Sequence, residues 1–256
     1  MASSSETGHA KNVANFEDLI SFCTGYGLTY NPSKATIKLL ALGTLRTDAK
    51  LKLVAVTTAS TKFINMTNAR QIIFSPIKSL ATRIVNALAN TDASTEMIDD
   101  AKTINRKIQG RRKGGDATPP PPAPTPGTPP PEGVTPGDDK QISVSQQSFD
   151  SLIENFKKLV ALVGSEPTYT PNEIELQIVT LNTLVTNPEA GNTDVINSIT
   201  ALSNSRIARN KTLYQPKTGL YDVAQDVKKY VKSVFGATSP EYKQVSGIKF
   251  TDLSKK

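Results

Sequence analysis

Tryptophan is missing from these 256 residues, and histidine and cysteine occur once each. Metal centres built on His and Cys need several such ligands, and Ser–His or Cys–His nucleophile pairs need a histidine inside the fold. The single histidine, His9, falls in a polar opening stretch, residues 1–12, that reads as a disordered tail. Zinc enzymes, triad hydrolases and disulfide scaffolds therefore lose their raw material. The expectation is a protein with no catalytic, metal or cofactor-binding residues. Cys23 cannot form an intrachain disulfide, and its place on an apolar helical stripe makes it a small buried hydrophobe. Also missing are a basic start followed by an apolar run of ~7–15 residues, as a secretion signal requires, and a run of ~18 continuous apolar residues. These two absences point to a cytoplasmic chain without a membrane span.

What is present is unevenly spread. Residues 114–141 hold ten of the 17 prolines. Proline fixes φ and lacks an amide proton, so this stretch reads as an extended spacer between two domains. On either side the chain resembles itself. Phe16–Ile20 (FEDLI) answers Phe149–Ile153 (FDSLI), and Thr29–Pro32 (TYNP) answers Thr168–Pro171 (TYTP). Leu42–Thr47 matches Leu181–Thr186, Ala69-Arg70 matches Ala208-Arg209, and Pro76 with Leu80 matches Pro216 with Leu220. The offset is 139 or 140 except at the first element, where it is 133. Read as a tandem duplication, the chain has one copy at 13–113 and another at 142–256, the second with about two extra helical turns in its first helix.

Apolar residues recur at spacings of three and four, the period of an α-helix with one buried face. In the second copy the stripes are Phe149 to Val163, ending at Gly164; Ile174 to Leu184; a third from Pro188 to Tyr214, where Thr-Asn-Pro reads as a helix start; and Leu220 to Val234, ending at Gly236. The first copy repeats the plan and adds a fifth helix from Ser94, with Met97, Ala101, Ile104 and Ile108 inward. Lys50–Val56 alternates like a strand but has no strand-like counterpart, so it is assigned to a helix. The predicted fold is all-α: two antiparallel up-and-down four-helix bundles, the first with an extra fifth helix, joined by a Pro-rich linker. Residues 237–256 fit either a short helix or irregular packing.

The charge is as uneven as the proline. The formal net charge of +7 divides into +8 for 1–113, −3 for 114–141 and +2 for 142–256. Lys102, Arg106, Lys107, Arg111, Arg112 and Lys113 form a cluster with no acid among them. It has two readings: cations that complement a helix C-terminus, or a patch that contacts phosphates in a salt-sensitive, sequence-independent way. The first is favoured, because no aromatic is interleaved for base stacking. Lys228, Lys229 and Lys232, behind Asp222 and Asp226, read as a solvated helix face. Tyr30 and Tyr169 in the TYxP turns read as residues that staple a helix entry onto the core.

Four fragments spell motifs without their setting. Ser75–Lys78 has S-x-x-K spacing and Lys217–Gly219 spells KTG, yet Pro76 and Pro216 put both in the same loop of the two copies. Gly25-Tyr26-Gly27 lacks the third glycine of a dinucleotide loop, and the sequons at Asn65 and Asn210 fall within expected helices. Asp99 and Asp100 are adjacent and diverge around a helix, so no acid–base pair is identified. The function expected is a structural or scaffolding protein that self-associates through its two related units, as a homo-oligomer or filament. The alternative is a module that binds nucleic acid or another polyanion through residues 102–113.

Overall fold

The computed structural model describes residues 4–110 and 148–254. The proline-rich stretch 114–141 and Arg111, Arg112 and Lys113 lie outside the described residues. Among the described residues all regular structure is helical: α1 (Ser4–Gly25), α2 (Leu39–Phe74), α3 (Ile77–Ala89), α4 (Thr95–Gln109), α5 (Phe149–Gly164), α6 (Ile178–Tyr214), α7 (Leu220–Phe235) and α8 (Pro240–Ser246), with short 3-10 turns at Gly27–Thr29, Ala35–Ile37 and Ile174–Leu176. The all-α reading holds, and Lys50–Val56 lies inside α2.

Local chemistry sets the helix ends. The Ser94, Ser148 and Ser239 hydroxyls accept from the amides of Met97, Ser151 and Tyr242 at 3.2, 3.1 and 3.0 Å, each such cap contributing ~1 kcal/mol. Gly110 and Gly236 end α4 and α7 at φ 74° and 92°, conformations that glycine adopts without a Cβ clash.

Four expectations change. First, the second and third helices of each half are single long elements, α2 of 36 residues and α6 of 37, and Pro188 lies inside α6. An interior proline costs ~3 kcal/mol through one lost hydrogen bond and a clash with the preceding turn. Leu181, Val195, Leu202 and Leu213 along α6 are all buried, each contributing ~2 kcal/mol, so packing on both sides of Pro188 outweighs the break.

Second, the expected tail is mostly helix. His9, Asn12 and Val13 are each only 2% exposed. The His9 Nδ1 lies 2.7 Å from the Tyr214 hydroxyl. The Asn12 amide donates to the Thr251 carbonyl at 2.7 Å while its Oδ1 accepts from the Thr251 amide at 3.0 Å. Burial is tolerated because the polar groups are satisfied. Third, the first helix is not longer in the second half: α5 has 16 residues and α1 has 22.

Fourth, the compact units do not follow the halves. One unit combines Met1–Thr67 with Val195–Lys256, and the other runs from Asn68 to Asp194. In the first, α1 packs on α7 and α8 around Phe16, Leu19, Leu42, Leu213, Leu220 and Val227. In the second, α5 packs on α3 and α4 around Ile84, Leu88, Ile108, Phe156, Leu159 and Leu181. Each core thus joins the opening helix of one half to the closing helices of the other, in place of separate bundles at 13–113 and 142–256. The second half also ends in a helix of its own, α8.

Candidate interaction surface

The polar residues singled out by the sequence are mostly engaged in holding the fold. Arg106 and Lys107 occupy the last turn of α4, where cations complement the carbonyl end of a helix. Lys102 pairs with Asp99 at 3.0 Å and the Arg106 guanidinium donates to the Thr103 hydroxyl at 2.7 Å. Of the lysines on α7, only Lys229 is a solvated residue beside an acid, 3.6 Å from Asp226. Lys228 is half-buried, donates to the Ile248 carbonyl and stacks 5.2 Å from the Phe250 ring centroid, and burial lowers its pKa. Lys232 lies over Tyr242 at 5.7 Å. Lys228 departs from the solvated-face reading because residues 248–250 fold back over it, whereas Lys232 stays exposed.

Cys23 is fully buried, and burial pushes its thiol up to about 12, so it is an inert core residue. Tyr30 and Tyr169 are each 5% exposed, which makes them core residues and not contacts on a partner surface. Lys217–Gly219 forms a turn, and both sequons lie within helices.

A cleft of about 650 Å³ lies in the second unit, between the end of α3 and the 168–173 turn, lined by Arg83, Asn86, Asn90, Asp92 and Glu173 among others. Arg83 forms an ion pair with Glu175. In the first unit the Tyr230 ring, 140 positions after Asn90, packs edge-on against Tyr30 at 5.3 Å. No group of three or more His, Cys, Asp or Glu able to hold a metal ion occurs among the described residues.

The feature that the core does not explain lies along the two long helices. On α2, Leu40, Thr44, Thr47, Leu51, Val54, Thr58, Thr61, Asn65, Asn68 and Ile72 are all exposed, Leu40 at 85% and Ile72 at 72%. Their spacing alternates four and three, so they form one line along the helix over 32 residues, ~48 Å at 1.5 Å per residue, that drifts by about a quarter turn round a straight helix. The line carries no charge. Shifting every position by 139 gives Val179, Thr183, Thr186, Ala190, Thr193, Asn197, Thr200, Asn204, Ile207 and Lys211 on α6, again all exposed and uncharged except at Lys211. Thr44, Thr47 and Thr61 meet Thr183, Thr186 and Thr200, and Asn65 meets Asn204. The threonine hydroxyls bond back to the carbonyl four residues earlier, as Thr44 to Leu40 at 3.0 Å and Thr183 to Val179 at 3.2 Å, which leaves methyl groups to cover the line.

The sequence reading missed this line because it sought stripes to bury, and a stripe rich in threonine ranks low for burial. The signal lay in the unbroken four–three spacing without charge. The stretch 39–89 is also long and apolar enough, by length and composition, to cross a membrane. No protein-family model, curated protein or solved structure matches the chain.

Proposed function

We propose that this chain is a non-enzymatic structural or scaffolding protein that self-associates, built by duplication of one helical unit whose two copies have exchanged their opening helices. The exposed uncharged line that recurs on α2 and α6 is the single observation that carries the self-association. A solvated helix face ordinarily carries charge, and a long face without it is a contact surface waiting for cover.

Paired geometry supports the duplication. The Tyr30 hydroxyl donates to the Ile37 carbonyl and the Tyr169 hydroxyl to the Leu176 carbonyl, at 2.7 and 3.1 Å. Phe74 and Phe149 pack edge to face at 4.7 Å, and His9 and Tyr214, each displaced by 140 positions, pair at 5.5 Å. Arg70 lies over the Phe149 ring at 4.1 Å, and Arg209, its counterpart, is likewise withdrawn from solvent at 4% exposure.

Light scattering across a concentration series tests the reading. Mass that rises with concentration supports it, and a strict monomer at every concentration and salt level overturns it. A second reading, polyanion binding through residues 102–113, is favoured by the +8 charge of the first 113 residues. It requires binding to random DNA or RNA that weakens steeply with salt, and fails if none is seen at low salt.

A further inference from the structure

We infer that the cleft between α3 and the 168–173 turn seats a small aromatic amine, its ring against Tyr169 and its positive charge beside Asp92 and Glu173. The inference is independent of self-association, because every lining residue lies in the second unit and off the uncharged line.

The other copy shows what the place holds. By burial, α3 and α7 align at an offset of 143: Ile77, Leu80, Ala81, Ile84 and Leu88 are buried in one, and Leu220, Val223, Ala224, Val227 and Val231 in the other. The step from 140 to 143 falls in the connection before the helix, which spans 215–219 between α6 and α7 but only 75–76 between α2 and α3. Tyr230 thereby falls at the place of Ala87. Each helix packs on the 3-10 turn that follows the buried tyrosine, α7 on Ala35–Ile37 and α3 on Ile174–Leu176. Each also forms one ion pair to that loop, with the sign reversed: Asp226 with Lys34, and Arg83 with Glu175.

In the first unit the Tyr230 ring stands edge-on to Tyr30 at 5.3 Å, and its hydroxyl accepts from the Asn31 amide at 3.2 Å. In the second, Ala87 stops at its methyl group, and about 650 Å³ stays open over Tyr169 and Leu176, each 5% exposed. That volume falls within the ~300–1,000 Å³ of small-molecule sites. A ring placed there can meet Tyr169 edge to face, as Tyr230 meets Tyr30. Charge sets the rest of the ligand. Arg83, Asp92 and Glu173 are the charged lining residues, and Arg83 is already met by Glu175. The two carboxylates therefore favour a cation and repel an anion. Asn86 and Asn90 line the same cleft and offer amide donors and acceptors to a polar substituent on the ring.

Tyramine is the probe, titrated into the full chain and followed by NMR of the Ala87 methyl group and the Tyr169 ring. Saturable shifts at both, with Tyr30 unmoved, are expected. p-Cresol keeps the ring and loses the charge, so at low salt it should bind about two- to fivefold more weakly, the worth of an exposed ion pair. The anion 4-hydroxyphenylacetate should bind more weakly still, and butylamine, a charge without a ring, should leave both signals in place. Ala87→Tyr builds the ring of the first unit into the second and should abolish tyramine binding, with circular dichroism confirming the fold. Absent or non-saturable shifts with tyramine overturn the inference. So do equal binding of 4-hydroxyphenylacetate, equal shifts with butylamine, or unchanged binding by a folded Ala87→Tyr variant. The ligand series uses the natural sequence, so it decides the matter even where that variant fails to fold.

Discussion

The Tyr30 hydroxyl donates a 2.7 Å hydrogen bond to the carbonyl oxygen of Ile37, closing the turn that leads into α2 from inside the core. Tyr169 and Leu176 repeat the bond at 3.1 Å at the entry to α6. Replacing either tyrosine with phenylalanine keeps the ring and strands a buried carbonyl, which costs about 1–3 kcal/mol. Tyr30→Phe and Tyr169→Phe should each lower the denaturant midpoint by a similar amount, and a large loss from one alone would break the equivalence of the two turns.

Alkaline pH should separate the two units. Burial raises the pKa of Cys23, Tyr26 and Tyr169 to about 12, and that of Tyr30 further. In the unfolded chain these groups ionise near 8.5 for the thiol and about 10 for the phenols. The stability held by their neutral forms is therefore complete below those values and is lost as pH climbs towards 12. Three of the four groups lie in the first unit, so circular dichroism melts between pH 8 and 11 should show that unit yielding first. Cys23→Ala with Tyr30→Phe should flatten the dependence, though from a lower starting stability.

Gly219 has no room for a side chain. A Cβ there would stand 2.6 Å from the Gln215 nitrogen and 2.8 Å from its carbonyl oxygen, backbone atoms that cannot step aside as a flexible side chain would. Gly219→Ala should displace the start of α7 and cost several kcal/mol, at the severe end for a point substitution. Gly43→Ala meets nothing within 4 Å and should be neutral or slightly stabilising in the helix.

Cutting the chain between residues 111 and 147 should not release two folded halves. Each unit holds segments from both sides of that stretch, so a protease site inserted there should yield fragments that co-elute on size exclusion and part only under denaturant. Two separate peaks without denaturant would restore the picture of independent bundles.

The stripes of α3, α4, α5 and α7 were legible because helical spacing, serine caps and terminal glycines agreed with one another. Which stripe covers which was not, since α1 is as apolar on its inner face as α5 and neither names its partner. His9 and Asn12 looked like tail residues because their partners Tyr214 and Thr251 lie more than 200 positions away. The extra turns expected in the second half came from a slip of register. Burial aligns Asn15-Phe16 and Leu19 with Asn155-Phe156 and Leu159, Phe16 and Phe156 being 0 and 1% exposed. That offset is 140, and the FEDLI match sits at 133. The two differ by seven residues, about two helical turns, so both registers present the same face. The candidate surface stayed hidden for another reason: only the fold shows which uncharged positions are left uncovered.

The passage of α2 and α6 from one unit into the other also sets an order of assembly on the ribosome. Residues 68–194 are contiguous, so that unit can close as soon as α6 begins to emerge. The face of α1 that holds Phe16 and Leu19 has no cover until α7 and α8, residues 220–246, have been made. At translation rates of about 5–20 residues per second, the first helix synthesised waits on the order of ten seconds or more for its place.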